Sequence, residues 1–212
     1  KCDVVVENFR PGTLEKWGLG YEELRKDNPG VVLVRISAYG QEGPMRNQPG
    51  FARIAHAFSG LAYLAGEPGR VPVVPGSTSL ADYMSGMQGA IGALIALRAR
   101  ERTGEGQVVD LALFESVFRA LDEIVPAYEQ FGTVRERNGA DTVYICPHSH
   151  YQSKDGQWLA IACSNDTMFE RLARAMEQPE LLAPDRFATM ALRVAARDEE
   201  NRMVSAWVGG PA

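Results

Sequence analysis

Continuous apolar runs alternate with helical periodicities along the first two-thirds of the chain. The runs at 4–6, 31–37 and 108–114 are rich in Val, Ile and Leu, as buried parallel strands are. Between them, apolar residues recur at helical spacing, most clearly over 51–64 and from Asp82 to Gly104. A further amphipathic helix, kinked at Pro126, is expected over 115–131. Strands that alternate with helices in this way predict an α/β fold with a parallel sheet.

The pattern changes near residue 140. Two runs of strand residues flank Asp155-Gly156, a dipeptide typical of a hairpin turn, and helical segments follow at 168–176 and 194–207. We therefore expect a large α/β domain over 1–141 and the start of a smaller α+β domain over 142–212. Because the chain begins inside a predicted strand and ends just after a helical segment, we expect a fragment of a longer protein.

Composition and charge exclude several classes of function. The 212 residues are 45% apolar and 23% charged, an ordinary globular mixture. The net charge of −5 and the absence of a basic patch argue against a nucleic-acid partner. No apolar run approaches the roughly 20 residues of a membrane helix. Three widely spaced cysteines predict a reducing compartment, the cytoplasm or, in a eukaryote, the mitochondrial matrix.

The candidate chemistry centres on Asp82, where a polar loop enters a helix. Ser79 is the expected N-cap, and Asp82 stands where a carboxylate can bond back to the cap's backbone and stay ionised in the helix dipole. Such a carboxylate is a helix cap, the neighbour of an anion site or a nucleophile. Gly86, Gly89 and Gly92 recur every three residues behind it, which indicates either tight packing or the close approach of a ligand.

Two histidine signals are weaker. His56 lies in the predicted helix over 51–64, where a packed or surface histidine is more common than a catalytic one. Cys146, His148 and His150 alternate, but no fourth ligand is spaced for zinc, so we expect strand residues and no metal site. No Gly-x-Gly-x-x-Gly motif supports a dinucleotide cofactor.

Taken together, motifs across nearly the whole chain resemble the class III CoA-transferases, the family of formyl-CoA and carnitine CoA-transferases. The motifs that carry the resemblance are Asp3–Gly12, Ser37–Pro44, Pro49–Phe51, Phe58–Gly60, Gly66–Pro68, Ala81–Gly86 and Arg100–Gln107. The segments 50–86 and 147–151 are most similar to the branch acting on C4–C5 dicarboxylic acids, such as the succinyl-CoA:malate and mesaconyl-CoA transferases.

The resemblance implies a Rossmann-like large domain and covalent transfer of coenzyme A. Asp82 falls on the catalytic aspartate, which forms a mixed anhydride with the donor acyl group and then an aspartyl-CoA thioester. Acyl-CoA and a carboxylic acid are then substrates, with no tightly bound cofactor. Arg10 and Lys16 are expected to pair with CoA phosphates. The family's CoA-contacting segments map onto Asn8, Phe9, Arg10, Lys16, Gly50, Phe51, Ala52 and Arg53.

Members of this family form interlocked homodimers, so the resemblance also implies a second copy as partner. A related activity, α-methylacyl-CoA racemisation, needs a histidine where this chain has Phe51, which disfavours it. A different alternative is a non-catalytic CoA-binding or scaffold domain in which Asp82 is only a cap. Of these three functions, CoA-transferase, racemase and scaffold, the sequence favours a CoA-transferase that acts on a C4–C5 dicarboxylate.

Overall fold

The computed structural model describes residues 2–210, which form two compact units. The first unit ends at Ala65 and resumes over Pro72–Glu136, and the second comprises Gly66–Val71 and the residues from Arg137 onward. The division expected between residues 141 and 142 stays a prediction. No helix within residues 2–210 is long and apolar enough to span a membrane.

The first unit is a parallel sheet with its connecting helices. Its elements are β1 Val4–Glu7, α1 Thr13–Lys16, α2 Tyr21–Asp27, β2 Val32–Ser37, α3 Ala52–Phe58, α4 Leu61–Leu64, the 3-10 turn Pro75–Ser77, α5 Leu80–Thr103, β3 Val108–Ala112, α6 Leu113–Phe118 and α7 Ile124–Phe131.

The strands lie side by side in chain order, so β2 is central. Val32, Leu33 and Val34 of β2 are buried, as the continuous apolar run predicts for a strand covered on both faces. In the parallel register Glu7 pairs with Arg35 and Ser37 with Ala112. The carboxyl ends of all three strands therefore meet at one edge. This sheet confirms the predicted α/β fold.

Two long helices predicted from periodicity are each interrupted. Gly60 has φ 91°, a left-handed conformation that ends one helical segment and starts the next, so α3 and α4 replace the helix expected over 51–64. The helix expected over 115–131 is divided into α6 and α7, with Asp122 at φ 57° between them. Pro126 lies in the first turn of α7, where proline is tolerated.

The glycines of α5 serve mainly to bring the helix close to the sheet. A Cβ at Gly89 would lie 3.2 Å from Leu111 Cδ1, and one at Gly92 would lie 2.7 Å from Val109 Cγ1. Gly86 differs, since a Cβ there would meet nothing within 4 Å. Packing therefore explains Gly89 and Gly92 and leaves Gly86 open to a ligand.

The far end of α5 is attached to the opposite edge of the sheet. Arg100 Nη1 donates to Asp3 Oδ1 at 2.8 Å and to the Gly30 carbonyl at 3.1 Å. The helix ends at Gly104, which has the left-handed φ of 76° expected of a C-cap glycine. These contacts fix the C-terminal end of the 24-residue helix.

The second unit is a hairpin covered by helices. Its elements are β4 His148–Gln152, β5 Trp158–Ala162, α8 Asp166–Ala175, the 3-10 turn Pro179–Leu182, α9 Met190–Ala195 and α10 Arg197–Val208. The strands are antiparallel, as the Asp155-Gly156 turn predicts. Asn165 caps α8, because its side chain accepts a hydrogen bond from Met168 N–H at 2.9 Å.

Candidate active site

A cavity of about 410 Å³ lies in the first unit at the carboxyl edge of the parallel sheet. Open α/β sheets commonly bind ligands at this edge. The cavity is lined by Asn8, Phe9, Arg10, Pro11, Ile36, Ser37, Ala38, Arg46, Gln48, Pro49, Gly50, Phe51, Asp82 and Leu113. It brings Asp82 together with five of the eight residues expected to contact CoA. Arg53, Lys16 and Ala52 do not line it.

The sheet places part of the lining directly. Asn8 follows β1, Ser37 ends β2, and Leu113 follows β3, so each strand delivers one part of the wall. Ala52 is buried instead in an apolar cluster with Ala55 and Ala81. That cluster packs α3 against the start of α5 beneath the cavity wall.

A buried ion pair holds the loop after β1. Glu7 Oε1 accepts from Arg35 Nε at 2.6 Å, and Glu7 Oε2 accepts from the Phe9 backbone N–H at 2.7 Å. The remaining guanidinium nitrogens of Arg35 donate to both carboxylate oxygens of Glu15, and this interaction holds the pKa of Glu15 below its usual value. The loop carrying Asn8 to Arg10 is thus tied to the sheet by charge-assisted bonds.

Phe9 extends this wall with an aromatic surface. Its ring meets Trp17 edge-on with centroids 5.0 Å apart, and Trp17 remains largely exposed. Trp17 therefore lies beside the cavity wall and outside the core, on a surface where a flat ring system can stack.

Asp82 occupies the third position of α5, and its side chain is exposed to the cavity. The expected capping box is wrong. Ser79 stands at the N-cap position, but its side chain makes no capping hydrogen bond. Among the contacts of residues 2–210, no hydrogen bond or ion pair engages the Asp82 carboxylate. The cavity therefore contains a carboxylate that is free to react.

His56 supplies the missing cap from another helix. It is 1% exposed, and its Nε2 accepts a hydrogen bond from the Ala81 N–H at 3.1 Å. Because a backbone N–H only donates, Nε2 is unprotonated and the proton of the neutral ring is on Nδ1. Burial lowers the pKa of His56, and the charge of Arg53 lowers it further against the opposing effect of Asp82. His56 is thus a packed histidine with a defined partner.

Arg46 and Gln48 also line the cavity, although no sequence motif assigned them to a site. They lie on the loop between β2 and α3, next to Arg10, whose Nη2 donates to the Asn47 carbonyl at 3.0 Å. A cationic residue in a loop that follows a parallel strand, close to Pro49-Gly50, is the signal that could have identified Arg46. With Arg10 it adds a second positive charge to the wall opposite a single carboxylate.

The alternating Cys146, His148 and His150 are not assembled into a metal site. His148 belongs to β4, where its Nδ1 lies 2.8 Å from Thr142 Oγ1, and Cys146 is buried. Burial raises the pKa of the Cys146 thiol well above its usual range. Across residues 2–210, no group of three or more His, Cys, Asp or Glu side chains is arranged to hold a metal ion.

Comparison with known proteins identifies relatives of the whole chain. A family model described as CoA-transferase family III matches residues 1–211. The chain is 56% identical over 209 residues to the alpha subunit of succinyl-CoA–L-malate CoA-transferase from Chloroflexus aurantiacus, covering 99% of this chain and 49% of that one. It is 55% identical to the beta subunit, covering 97% and 51%. The chain spans about half the length of these curated relatives.

A solved structure shares the fold along the same length. The chain superposes on a CAIB/BAIF family protein from Brucella suis with a TM-score of 0.80 at 34% identity. The match covers 99% of this chain and 55% of that one.

Proposed function

The chain belongs to CoA-transferase family III, as its motifs predict, and on that premise we propose that it carries the reacting carboxylate of an acyl-CoA:carboxylate CoA-transferase. The observation that carries the proposal is the unpartnered Asp82 carboxylate in a cavity shared with Asn8, Phe9 and Arg10. A positioned, ionised carboxylate is a competent covalent nucleophile.

In the first half-reaction an Asp82 oxygen attacks the thioester carbonyl carbon of the donor. The carbon–sulfur bond breaks, CoA leaves as the thiolate, and a mixed anhydride forms. The thiolate then attacks the aspartyl carbonyl carbon, and the anhydride carbon–oxygen bond breaks. The donor acid departs as its carboxylate and leaves an aspartyl-CoA thioester.

The second half-reaction repeats these steps in reverse order with the acceptor. The acceptor carboxylate attacks the aspartyl carbonyl carbon, displaces the thiolate and forms a new mixed anhydride. The thiolate attacks the acceptor's acyl carbon, which releases acceptor-CoA and regenerates the Asp82 carboxylate. No oxidant, reductant or metal is needed to balance the reaction.

We assign the second carboxylate of a C4–C5 dicarboxylic acid to Arg46. A dicarboxylate keeps one carboxylate that is not consumed, and guanidinium is the side chain best suited to pair with it. Arg46 lines the cavity, and no ion pair engages it among the described contacts. The names of the Chloroflexus relatives, which pair succinyl-CoA with L-malate, support this class of substrate.

The racemase alternative has little geometric support. The position where that chemistry needs a histidine is occupied by Phe51, which is 83% exposed and lines the cavity. His56 is buried and bonded to the Ala81 N–H, so its ring does not face a substrate.

The test is trapping of the acyl-enzyme. The full-length protein is incubated with succinyl-CoA, quenched with hydroxylamine or borohydride, and weighed intact before peptide mapping. We expect a modification on Asp82 that is absent from Asp82→Asn, with kcat reduced roughly 10³-fold or more in that variant. Asp27→Asn, at an exposed position in α2, serves as the matched control and keeps wild-type activity.

Three outcomes contradict the proposal in different ways. Activity retained by Asp82→Asn would show that Asp82 is not the nucleophile. Exchange of the α-proton without CoA transfer favours the racemase. CoA binding with no turnover of any acyl-CoA, in a folded protein, favours the scaffold.

We also propose that the working unit contains two copies of the chain, as the resemblance implies. An apolar stripe on α5 supports this, since Tyr83, Met87, Ile91 and Leu94 are each more than half exposed. Light scattering of the full-length protein is expected to give the mass of two chains, and a single-chain mass contradicts the assembly.

A further inference from the structure

We propose that His56 is a positioning residue for Asp82, acting through the backbone of the helix that carries it. This inference rests on the proposed nucleophilic role of Asp82. The observation behind it is the hydrogen bond from the Ala81 N–H to His56 Nε2. Ala81 is the residue immediately before Asp82.

Within residues 2–210, no side chain other than His56 caps the start of α5. The first backbone N–H groups of a helix have no partner within the helix, and a side chain at the N-cap normally accepts from one of them. Ser79 occupies that position without making the bond. The His56 imidazole, 25 residues earlier in the chain, takes the role instead.

His56 also connects two walls of the cavity. It lies in α3, which begins at Ala52 directly after the lining residues Gly50 and Phe51. Its partner begins α5, the helix that carries Asp82. Together with the apolar cluster of Ala52, Ala55 and Ala81, this hydrogen bond therefore helps to fix the wall formed by 50–51 relative to the reacting carboxylate.

The protonation state of His56 decides whether the bond can form. The bond exists only while Nε2 is unprotonated, because imidazolium has no acceptor. A protonated ring would also bring positive charge to the positive end of α5. Two charged groups face the ring, Asp82 from α5 and Arg53 from its own helix. The buried site and the partner N–H thus favour the neutral ring that positioning needs.

Three substitutions separate positioning from packing. The side-chain oxygen of Gln reaches about as far as Nε2, so His56→Gln keeps an acceptor for Ala81. The oxygen of Asn stops at the level of Nδ1, so His56→Asn is polar but too short. His56→Met fills similar space without an acceptor of comparable strength.

The experiment measures kcat and KM in the full-length protein, with the active fraction counted by trapping at Asp82. We expect His56→Gln to stay within about threefold of wild-type kcat. His56→Asn and His56→Met should lose roughly 10- to 100-fold in kcat with KM for acyl-CoA nearly unchanged. Equal losses in all three variants, or no loss in any, would overturn the positioning role.

A second measurement needs no variant and no activity. The protection factor of the Ala81 amide in the wild-type protein, which compares its exchange rate with the intrinsic rate at the same pH, should be large at neutral pH and decrease as the pH falls and His56 becomes protonated. Rapid exchange at neutral pH overturns the inference even if the variants fail to fold. Activity retained by Asp82→Asn would instead remove the proposed function, so the two failures are distinguishable.

Discussion

Glu7 and Arg35 lie opposite each other in the parallel register, and Glu7 Oε1 accepts from Arg35 Nε at 2.6 Å. The second oxygen of the same carboxylate holds the Phe9 N–H. One buried side chain therefore links the pairing of two strands to the loop that lines the cavity. The loop's position depends on the sheet and is not set by its own sequence alone.

Glu7→Gln should weaken both the fold and substrate binding. The Gln side chain has only one acceptor oxygen, so it keeps at most one of the two hydrogen bonds that the Glu7 carboxylate accepts. Without the charge of Glu7, the buried Arg35 has only the half-exposed Glu15 as an ionic partner. We expect a loss of about 2–4 kcal/mol in the free energy of unfolding and a raised KM for acyl-CoA. Urea unfolding and steady-state kinetics measure the two effects.

The control for this change is Glu23→Gln, which removes an exposed i,i+3 pair with Lys26. It should alter the unfolding free energy by less than about 0.5 kcal/mol. If both variants unfold alike, the buried pair does not have the role described for it.

Gly92→Ala and Gly86→Ala should have opposite effects on stability. The added methyl at 92 would lie 2.7 Å from Val109 Cγ1 and push α5 off the sheet, whereas the methyl at 86 meets open space. We expect Gly92→Ala to cost about 1–3 kcal/mol and Gly86→Ala to gain up to about 1 kcal/mol. Thermal denaturation of the two variants provides the comparison.

The activity of Gly86→Ala carries separate information. Gly86 lies one turn after Asp82, on the exposed surface of α5. A more stable protein with a raised KM would indicate that a ligand approaches this glycine, and unchanged kinetics would leave it without such a role.

Stability should depend on pH through His56. Its pKa is lower in the folded than in the unfolded protein, so the unfolded state binds more protons. The contribution of the neutral ring is therefore complete above the unfolded value of about 6.5 and is lost as the pH falls through the lower folded value. Urea unfolding at pH 7.5 and 5.0 should show a smaller decrease in His56→Gln than in wild type. A parallel decrease in both proteins would contradict this.

Arg46→Met should discriminate between donors. Succinyl-CoA carries a terminal carboxylate where butyryl-CoA has an uncharged methyl group. Loss of a charge-assisted bond of about 1.5–3 kcal/mol should lower kcat/KM roughly 10- to 100-fold for succinyl-CoA and far less for butyryl-CoA. Arg25→Gln, on the exposed face of α2, is the control that should affect neither. Equal losses on both donors would contradict the assignment of Arg46.

Much of the fold follows from local sequence. The apolar run at β2 is short and continuous, so its strand type and its burial on both faces were predictable. β1 is also a strand, but the predicted burial is wrong there, since Val6 is 65% exposed at the edge of the sheet. The end of α5 was equally clear, because Gly104 combines the glycine and the preceding basic residues typical of a C-terminus. The prediction of one continuous helix over 51–64 is wrong, because hydrophobic periodicity does not reveal the positive φ at Gly60.

The site could be predicted from local sequence only in part. Asp82 stands out through the resemblance, whereas its local pattern favours a helix cap. The bond from Ala81 to His56 joins residues 25 positions apart on two helices, and no pattern along the chain encodes it. Ser79 satisfies every local rule for a cap yet makes no such bond, since tertiary packing supplied a different acceptor.

α5 is held at both of its ends, by His56 at the first turn and by Arg100 at the last. About 27 Å separates Asp82 from Arg100 along the axis, at 1.5 Å per residue. Because α5 is one continuous helix, a shift of its attachment at Arg100 should also move Asp82 at the other end. Laboratory evolution for a new acid should therefore recover substitutions around Asp3, Gly30 and Arg100, far from any substrate atom, among its beneficial changes.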